Sequence, residues 1–379
     1  MIYEEVSSES RARRTLTGAA RVLSALRMDG PLVIGLAFTA AYGLVVLYSA
    51  SAENLPMVLR TVMRLVLGTA AMLALARVNP NFLRRTSPWL YAIGVILLLA
   101  VAAAGHTRLG AQRWLSLGPI RFQPSELMKI AVPMMCAWYL HERPLPPRWP
   151  NLLLLGLIIV APAALVAKEP DLGTAALIAA GGALVVFLAG LRVRVIVGML
   201  LIGVAAAWFG LRFMHGYQRQ RLLTFLNPQS DPLGAGYHII QSQIAIGSGG
   251  VFGKGWMNGS QAQLDFLPER TTDFIFAVIG EEFGLLGLAV LLLLYAFVIG
   301  RSLYLAVQTP DTFSRLLAGS LALIFFVYVF INAGMVTGLL PVVGVPLPLV
   351  SYGGSSVVTV LAGFGILMSL HAHRKLMGS

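Results

Sequence analysis

Ionisable residues recur inside otherwise apolar stretches of this chain, and their spacing gives four clusters capable of chemistry. A charge at membrane depth is costly, which makes each of them a functional candidate. The first runs from Arg113-Trp114 to Arg121-Phe122-Gln123-Pro124-Ser125-Glu126-Leu127-Met128-Lys129. Pro124 suits the first turn of a helix. Glu126 and Lys129, three residues apart, then share a face and can pair. A fold-fixing ion pair and a catalytic pair fit that spacing equally well. The second cluster, Lys168-Glu169-Pro170-Asp171, sets three charges around a helix breaker. It is either a phosphate or divalent-cation site or a polar turn in which Asp171 caps a helix.

The third cluster holds Asp265, Glu269, Arg270, Thr271, Thr272 and Asp273, directly before the apolar Phe274-Ile275-Phe276. A carboxyl at that junction is half desolvated, and its pKa rises toward the range of a general base working near neutral pH. Helix capping by Thr272 or Asp273 is the competing role. The fourth cluster is Asn332-Ala333-Gly334-Met335 through Pro341, then Pro346-Leu347-Pro348 and Ser351-Tyr352-Gly353-Gly354-Ser355-Ser356. Glycine and proline at this density break helices where backbone lines a cavity or packs on protein. Ser351 invites a nucleophilic role, but no partner His or Asp is identifiable, and small residues at helix contacts are the commoner use. The six histidines are scattered and suggest no metal set, and the single cysteine, Cys136, excludes an internal disulfide. With no Walker loop or dinucleotide fingerprint, no organic cofactor is expected.

The elements that must hold these clusters are membrane spans. Hydrophobic residues make up 57% of the chain and charged ones 12%, about half the ~25% of a soluble domain. The net charge of +12 does not point to nucleic acid, because the cations are scattered between apolar runs. Runs long enough to cross a bilayer recur at roughly 32–50, 58–78, 88–105, 124–140, 151–168, 172–190, 194–211, 273–300, 314–340 and 346–370. The expected fold is all-α and polytopic, with about ten transmembrane helices and no strands, since lipid offers backbone groups no partner. The first run has a cleavage-like Ala50-Ser51-Ala52, but its leading region and apolar stretch are too long for a signal peptide, so an uncleaved anchor is expected.

Cation bias places both termini in the cytoplasm. Residues 1–30 then form a cytoplasmic tail, 31–370 the membrane domain and 371–379 a second tail. The segment 212–272, which includes Gly247-Ser248-Gly249-Gly250, becomes a large extracytoplasmic loop before the eighth span. Outer cations are unevenly spread: 51–57 and 341–345 have none, whereas 106–123 and 212–272 are rich in them. That clustering suggests a binding role, and the cations expected in the outer cavity are Arg113, Arg121, Lys168, Arg219 and Arg221.

Together the clusters resemble the SEDS family (shape, elongation, division and sporulation). The likeness runs from about Arg113 to Arg374 and is carried by the Asn332 to Pro341 and Pro346 to Ser356 segments. Gly253-Lys254-Gly255-Trp256 and Asp265-Phe266-Leu267-Pro268-Glu269-Arg270 resemble its elongation branch. Thr271 departs from the pattern, since relatives commonly carry His there. The resemblance implies a peptidoglycan glycosyltransferase that polymerises lipid II and works with a class B penicillin-binding protein. It carries over an essential acid at Asp273, the pair Glu126 and Lys129, and further functional positions at Arg121, Gln123 and Asp171. Glu269 and Ser351 complete the expected substrate-binding set, and a divalent cation (Mg or Mn) is the expected aid to the departing pyrophosphate. A lipid II flippase and a non-catalytic scaffold that activates the penicillin-binding protein are the alternatives.

Overall fold

The computed structural model describes residues 28–191 and 235–373 except positions 105, 109, 110, 118, 119, 170, 265 and 268; between 192 and 234 it describes only 195, 197, 198, 201 and 229. The helices are α1 (Gly30–Ala50), α2 (Leu55–Ala76), α3 (Pro80–Ala104), α4 (Pro124–Leu140), α5 (Trp149–Lys168), α6 (Leu172–Leu188), α7 (Ala235–Gly249), α8 (Ser260–Gln263), α9 (Ile275–Val307), α10 (Thr312–Thr337) and α11 (Ser356–Ala372). Six of them, α1, α2, α3, α5, α9 and α10, are long and apolar enough to cross a bilayer, and α6 and α11 are shorter apolar helices. Most of the expected span at 194–211 and residues 1–27 of the expected tail lie outside the described residues.

Large apolar side chains point outward along these helices, among them Phe38 on α1, Trp89 on α3, Leu153 on α5 and Leu293 on α9. In water such a surface would be a liability; in lipid it is the ordinary outer face of a bundle. α10 forms the central column: 67% of its most apolar stretch is buried, against at most 39% in any other of the six. α2 and α11 cross where Gly365 meets the Met72 carbonyl, and a Cβ there would stand 2.5 Å from that oxygen. Small residues permit this approach of two backbones.

Most irregular chain gathers at one end. There Gln263 reaches the Ser49 carbonyl (3.4 Å), Trp256 the Val45 carbonyl (3.2 Å), and Tyr352 donates its N–H to the Thr271 carbonyl (2.8 Å). At the opposite end Arg301 of α9 grips Asp29, the cap of α1, through two hydrogen bonds of 2.9 and 2.7 Å.

Three expectations are corrected. A small antiparallel sheet, β1 (His106–Arg108), β2 (Ala111–Leu117) and β3 (Ile120–Phe122) in the order β1-β2-β3, follows α3. The rule against strands holds only within lipid; beyond the end of α3, strand edges can be solvated. The segment 212–272 is not simply a loop. Its described part contains α7, which packs on α9 and α10, with Ser242 donating to the Val336 carbonyl (2.8 Å). Gly247, Ser248 and Gly249 belong to that helix, and Gly249 lies directly on the Gly280 carbonyl. The final span begins at Ser356 rather than 346, because the proline- and glycine-rich strap 338–355 runs without helix.

α9 has 33 residues, about 50 Å at 1.5 Å per residue, well beyond a ~30 Å hydrocarbon core. It breaks at Gly284 (φ 62°), and its first turns belong with the loops. Gly284 lies against Gly253, itself at φ +81°, and a Cβ at Gly284 would meet the Gly253 nitrogen and stand 2.6 Å from the Val251 carbonyl oxygen. Gly284→Ala combines the strain of a backbone region open essentially to glycine alone (φ 62°, ψ −158°), about 1–3 kcal/mol, with a backbone overlap. We expect a clear loss of monodisperse protein and a lowered thermal midpoint in detergent, whereas Gly300→Ala, which meets nothing within 4 Å, leaves both unchanged.

Candidate active site

Three elements bring charge to one cavity at the loop-rich end. α4 starts at Pro124, and its cap Gln123 makes no side-chain capping bond. That amide instead faces Asp171 Oδ2 at 3.5 Å. Glu126 falls in the first turn of α4, where the helix dipole favours an acid, and its Oε1 accepts from Lys129 Nζ at 2.7 Å. Both residues are only 7% exposed, and the Lys129 ammonium lies 5.5 Å from the Tyr328 ring centre. Glu126 Oε2 has no protein partner. Asp171 caps α6 by accepting from the Thr174 N–H (3.1 Å) while lining the same cavity, so capping does not remove it from the site. The cavity holds about 200 Å3, and its further walls are Trp114 of β2 and the strap residues Gly344, Pro346, Gly354 and Ser355.

Asp273 stands at the rim of this cavity, not in its wall. It lies in the turn 269–273 before α9, half-buried, and a Cβ on the cavity-lining Gly344 would stand 3.4 Å from its Oδ2. Burial pushes its pKa up to about 6, with help from the negative charges of Glu269 and Asp171. The turn is tied to the strap by main-chain acceptors. Ser351 Oγ donates to the Thr272 carbonyl (2.5 Å) and Asn332 Nδ2 to the Asp273 carbonyl (2.9 Å). Asn332 also holds the Val345 carbonyl (2.8 Å), so one buried amide fixes both turn and strap.

Not every expected residue is brought to the cavity. Ser351 is 1% exposed, and its hydroxyl also accepts the Leu347 N–H at 2.8 Å. With its hydroxyl engaged in both directions it holds the turn. Lys168 is exposed at the end of α5 and lines none of the cavities described here. Glu269 is exposed, accepts from Thr272 Oγ1 (2.7 Å), and borders a separate cavity of about 350 Å3 with Arg270 and Ser51. The backbones of Arg113 and Arg121 lie in β2 and β3; their side chains, and all of Arg219, Arg221 and Asp265, lie outside the described residues.

The charged cavity opens into a larger apolar groove of about 1000 Å3 that shares Trp114, Glu126, Gly354 and Ser355 with it. Leu67, Phe82, Trp89 and Ile366 line it between α2, α3 and α11. Arg64 also lines it, stacked 4.5 Å over the Tyr352 ring and bonded to its hydroxyl (3.3 Å), with Nη1 left without a partner. Sequence reasoning missed Arg64, absorbed into an apolar run, and the adjacent Glu281 and Glu282 in α9, which are 0% and 1% exposed. A charge in a helix of that hydropathy was the available signal. Among the described residues no three His, Cys, Asp or Glu side chains form a metal cage.

Comparison with known proteins adds the lineage. The chain is 51% identical over 356 residues to the peptidoglycan glycosyltransferase MrdB of Escherichia coli (strain K12), a match covering 93% of this chain and 95% of the relative. A chain from a peptidoglycan synthase complex, solved in a study of the structural coordination of polymerization and crosslinking, superposes with a TM-score of 0.80 at 32% identity, covering 91% of this chain and 98% of that one. The rod shape determining protein RodA of Thermus thermophilus superposes with a TM-score of 0.70 at 32% identity, over 91% and 97% of the two chains. The model of the cell cycle protein family FtsW/RodA/SpoVE matches residues 31–376. The cavity, the strap and the acid-bearing turn all fall within that stretch, and the chain belongs to the FtsW/RodA/SpoVE family.

Proposed function

We propose that the chain is a peptidoglycan glycosyltransferase that polymerises lipid II into glycan strands during cell elongation, working with a class B penicillin-binding protein. The observation that carries this is the joining of a charged cavity to a long apolar groove, with Asp273 at the cavity rim. That combination suits an amphiphile whose polyprenyl tail lies along Leu67, Phe82 and Ile366 and whose diphosphate and sugars reach the polar end. The loop-rich end faces outward from the inner membrane, and both termini are cytoplasmic.

In the reaction Asp273 takes the proton of the acceptor sugar hydroxyl. The freed oxygen forms its bond to the anomeric carbon of the donor as the bond to the diphosphate breaks. An alcohol needs such a base, and a pKa near 6 leaves the carboxylate ionised yet basic at neutral pH. Lys129, Arg64 and the family-matched Arg121 offset the charge that develops on the departing diphosphate, which in a water-poor site is a large effect. A cation such as Mg or Mn, held by one carboxylate and the substrate's own phosphates, would sit at Asp171 and supply further charge neutralisation.

The test is a gel assay of glycan formation by the purified chain and its transpeptidase partner from lipid II, with and without chelator. Polymer is expected, with an acidic limb centred near pH 6. Glu269→Gln removes one of the like charges that raise Asp273, and the limb should move to lower pH. A flippase would move lipid II across vesicles and make no polymer; that outcome, or a limb unmoved in Glu269→Gln, counts against the assignment.

A further inference from the structure

We infer that Glu281 is a positioning residue: its buried carboxylate caps α8 from a different helix and thereby sets where the Asp273 turn stands. The inference rests on the polymerase function proposed above. Glu281 is fully buried in α9, about two helical turns beyond Asp273. Its carboxylate collects four donors: the Gln261 N–H (2.9 Å), the Ala262 N–H (3.2 Å), Ser260 Oγ (3.2 Å) and Lys254 Nζ (2.7 Å). The first turn of a helix has amides without intrahelical acceptors. α8 has only four residues, and its own cap, Gly259, has no side chain to offer. Glu281 takes that role across space.

The cap matters because α8 grips the acid-bearing turn. The Ala262 carbonyl accepts from Arg270 Nη1, three residues before Asp273. The opposite side of the turn is held by Ser351, Tyr352 and Asn332. Asp273 is thus suspended between the strap and α8, and only the α8 side depends on a charge. Lys254 bonds both Glu281 and Ser260 Oγ (2.8 Å), and its own N–H and that of Gly255 bond the Glu281 and Glu282 carbonyls (2.9 and 3.0 Å). The loop 253–263 therefore lies docked on α9 by side chain and backbone together.

The experiment uses the full chain with its transpeptidase partner and compares wild type with Glu281→Gln and Gln261→Pro. The proline, at the second position of α8, removes an amide that has no intrahelical acceptor, while the Ala262 amide and Lys254 still reach the carboxylate. Hydrogen exchange at residues 260–264, polymerisation rates against lipid II concentration, and their pH dependence are measured. Exchange at Ala262 should rise at least about tenfold in Glu281→Gln. The kcat should fall about 10–100-fold with KM changed less than about threefold, and the acidic limb should move to lower pH as Asp273 leaves its acidic neighbours. Gln261→Pro should change kcat and the limb in the same direction to a smaller degree, which covers the case in which Glu281→Gln does not fold. Unchanged exchange, a loss carried by KM, or an unmoved limb in the folded variants would overturn the positioning role. If wild type forms no polymer, the failure belongs to the proposed function, and the exchange measurement still decides whether Glu281 caps α8.

Discussion

Asp273→Asn is expected to abolish glycan polymerisation, by about 10²–10⁴-fold if its loss is that of a general base, while making the protein more stable at pH 7.5. The second half follows from the sign of its titration. Burial and two acidic neighbours raise the carboxyl from 3.8 to about 6 in the folded protein. The folded state therefore holds this proton more tightly than the unfolded chain does, and unfolding releases it between about pH 4 and 6. Stability falls as pH rises through that window, and the cost of the ionised carboxylate is fully present above it. Asparagine keeps the shape and removes the charge. Thermal melts of the two proteins should coincide below pH 4 and separate above pH 6, with the variant melting higher. Appreciable polymer from the purified variant with its partner would remove Asp273 from the chemistry.

Lys129→Met carries the second large effect. It leaves Glu126 in a buried cavity where one carboxylate oxygen already lacks a partner. Breaking a buried pair from one side costs about 3–5 kcal/mol, whereas removing both charges is close to neutral. The single variant should be inactive and poorly folded. The double variant Glu126→Gln/Lys129→Met should regain thermal stability and stay inactive, because the cation opposite the departing diphosphate is gone. Recovered polymerisation in the double variant would reduce the pair to a structural role and leave Arg64 and Arg121 as the cations that matter.

Much of this was legible from residue types alone. Glu126, Lys129, Asp171 and Asp273 stood out because charge in an apolar run is costly, and three of them line one cavity with the fourth at its rim. What escaped detection has physical reasons. Gly247 and Gly249 looked like loop residues because glycine also serves turns; in α7 Gly249 allows one backbone to lie on another, which no local pattern distinguishes. The strands at 106–122 were missed because a rule for lipid was extended past the end of a helix. Ser351 looked like a possible substrate contact because its partners, the distant Thr272 carbonyl and the Leu347 amide four residues back, are fixed only by the folded strap. Arg64 faces Tyr352, 288 positions away along the chain.

On the side away from α8, the turn that carries Asp273 is grasped by its carbonyl oxygens, at Thr271, Thr272 and Asp273. Carbonyls are the same whatever residue bears them. The side chain at 271 is therefore free to vary without displacing the acid, whereas the Thr272 hydroxyl is engaged with Glu269 inside the turn. Engineers seeking a handle beside the reacting groups, for a crosslinker or a fluorophore, should find position 271 unusually permissive.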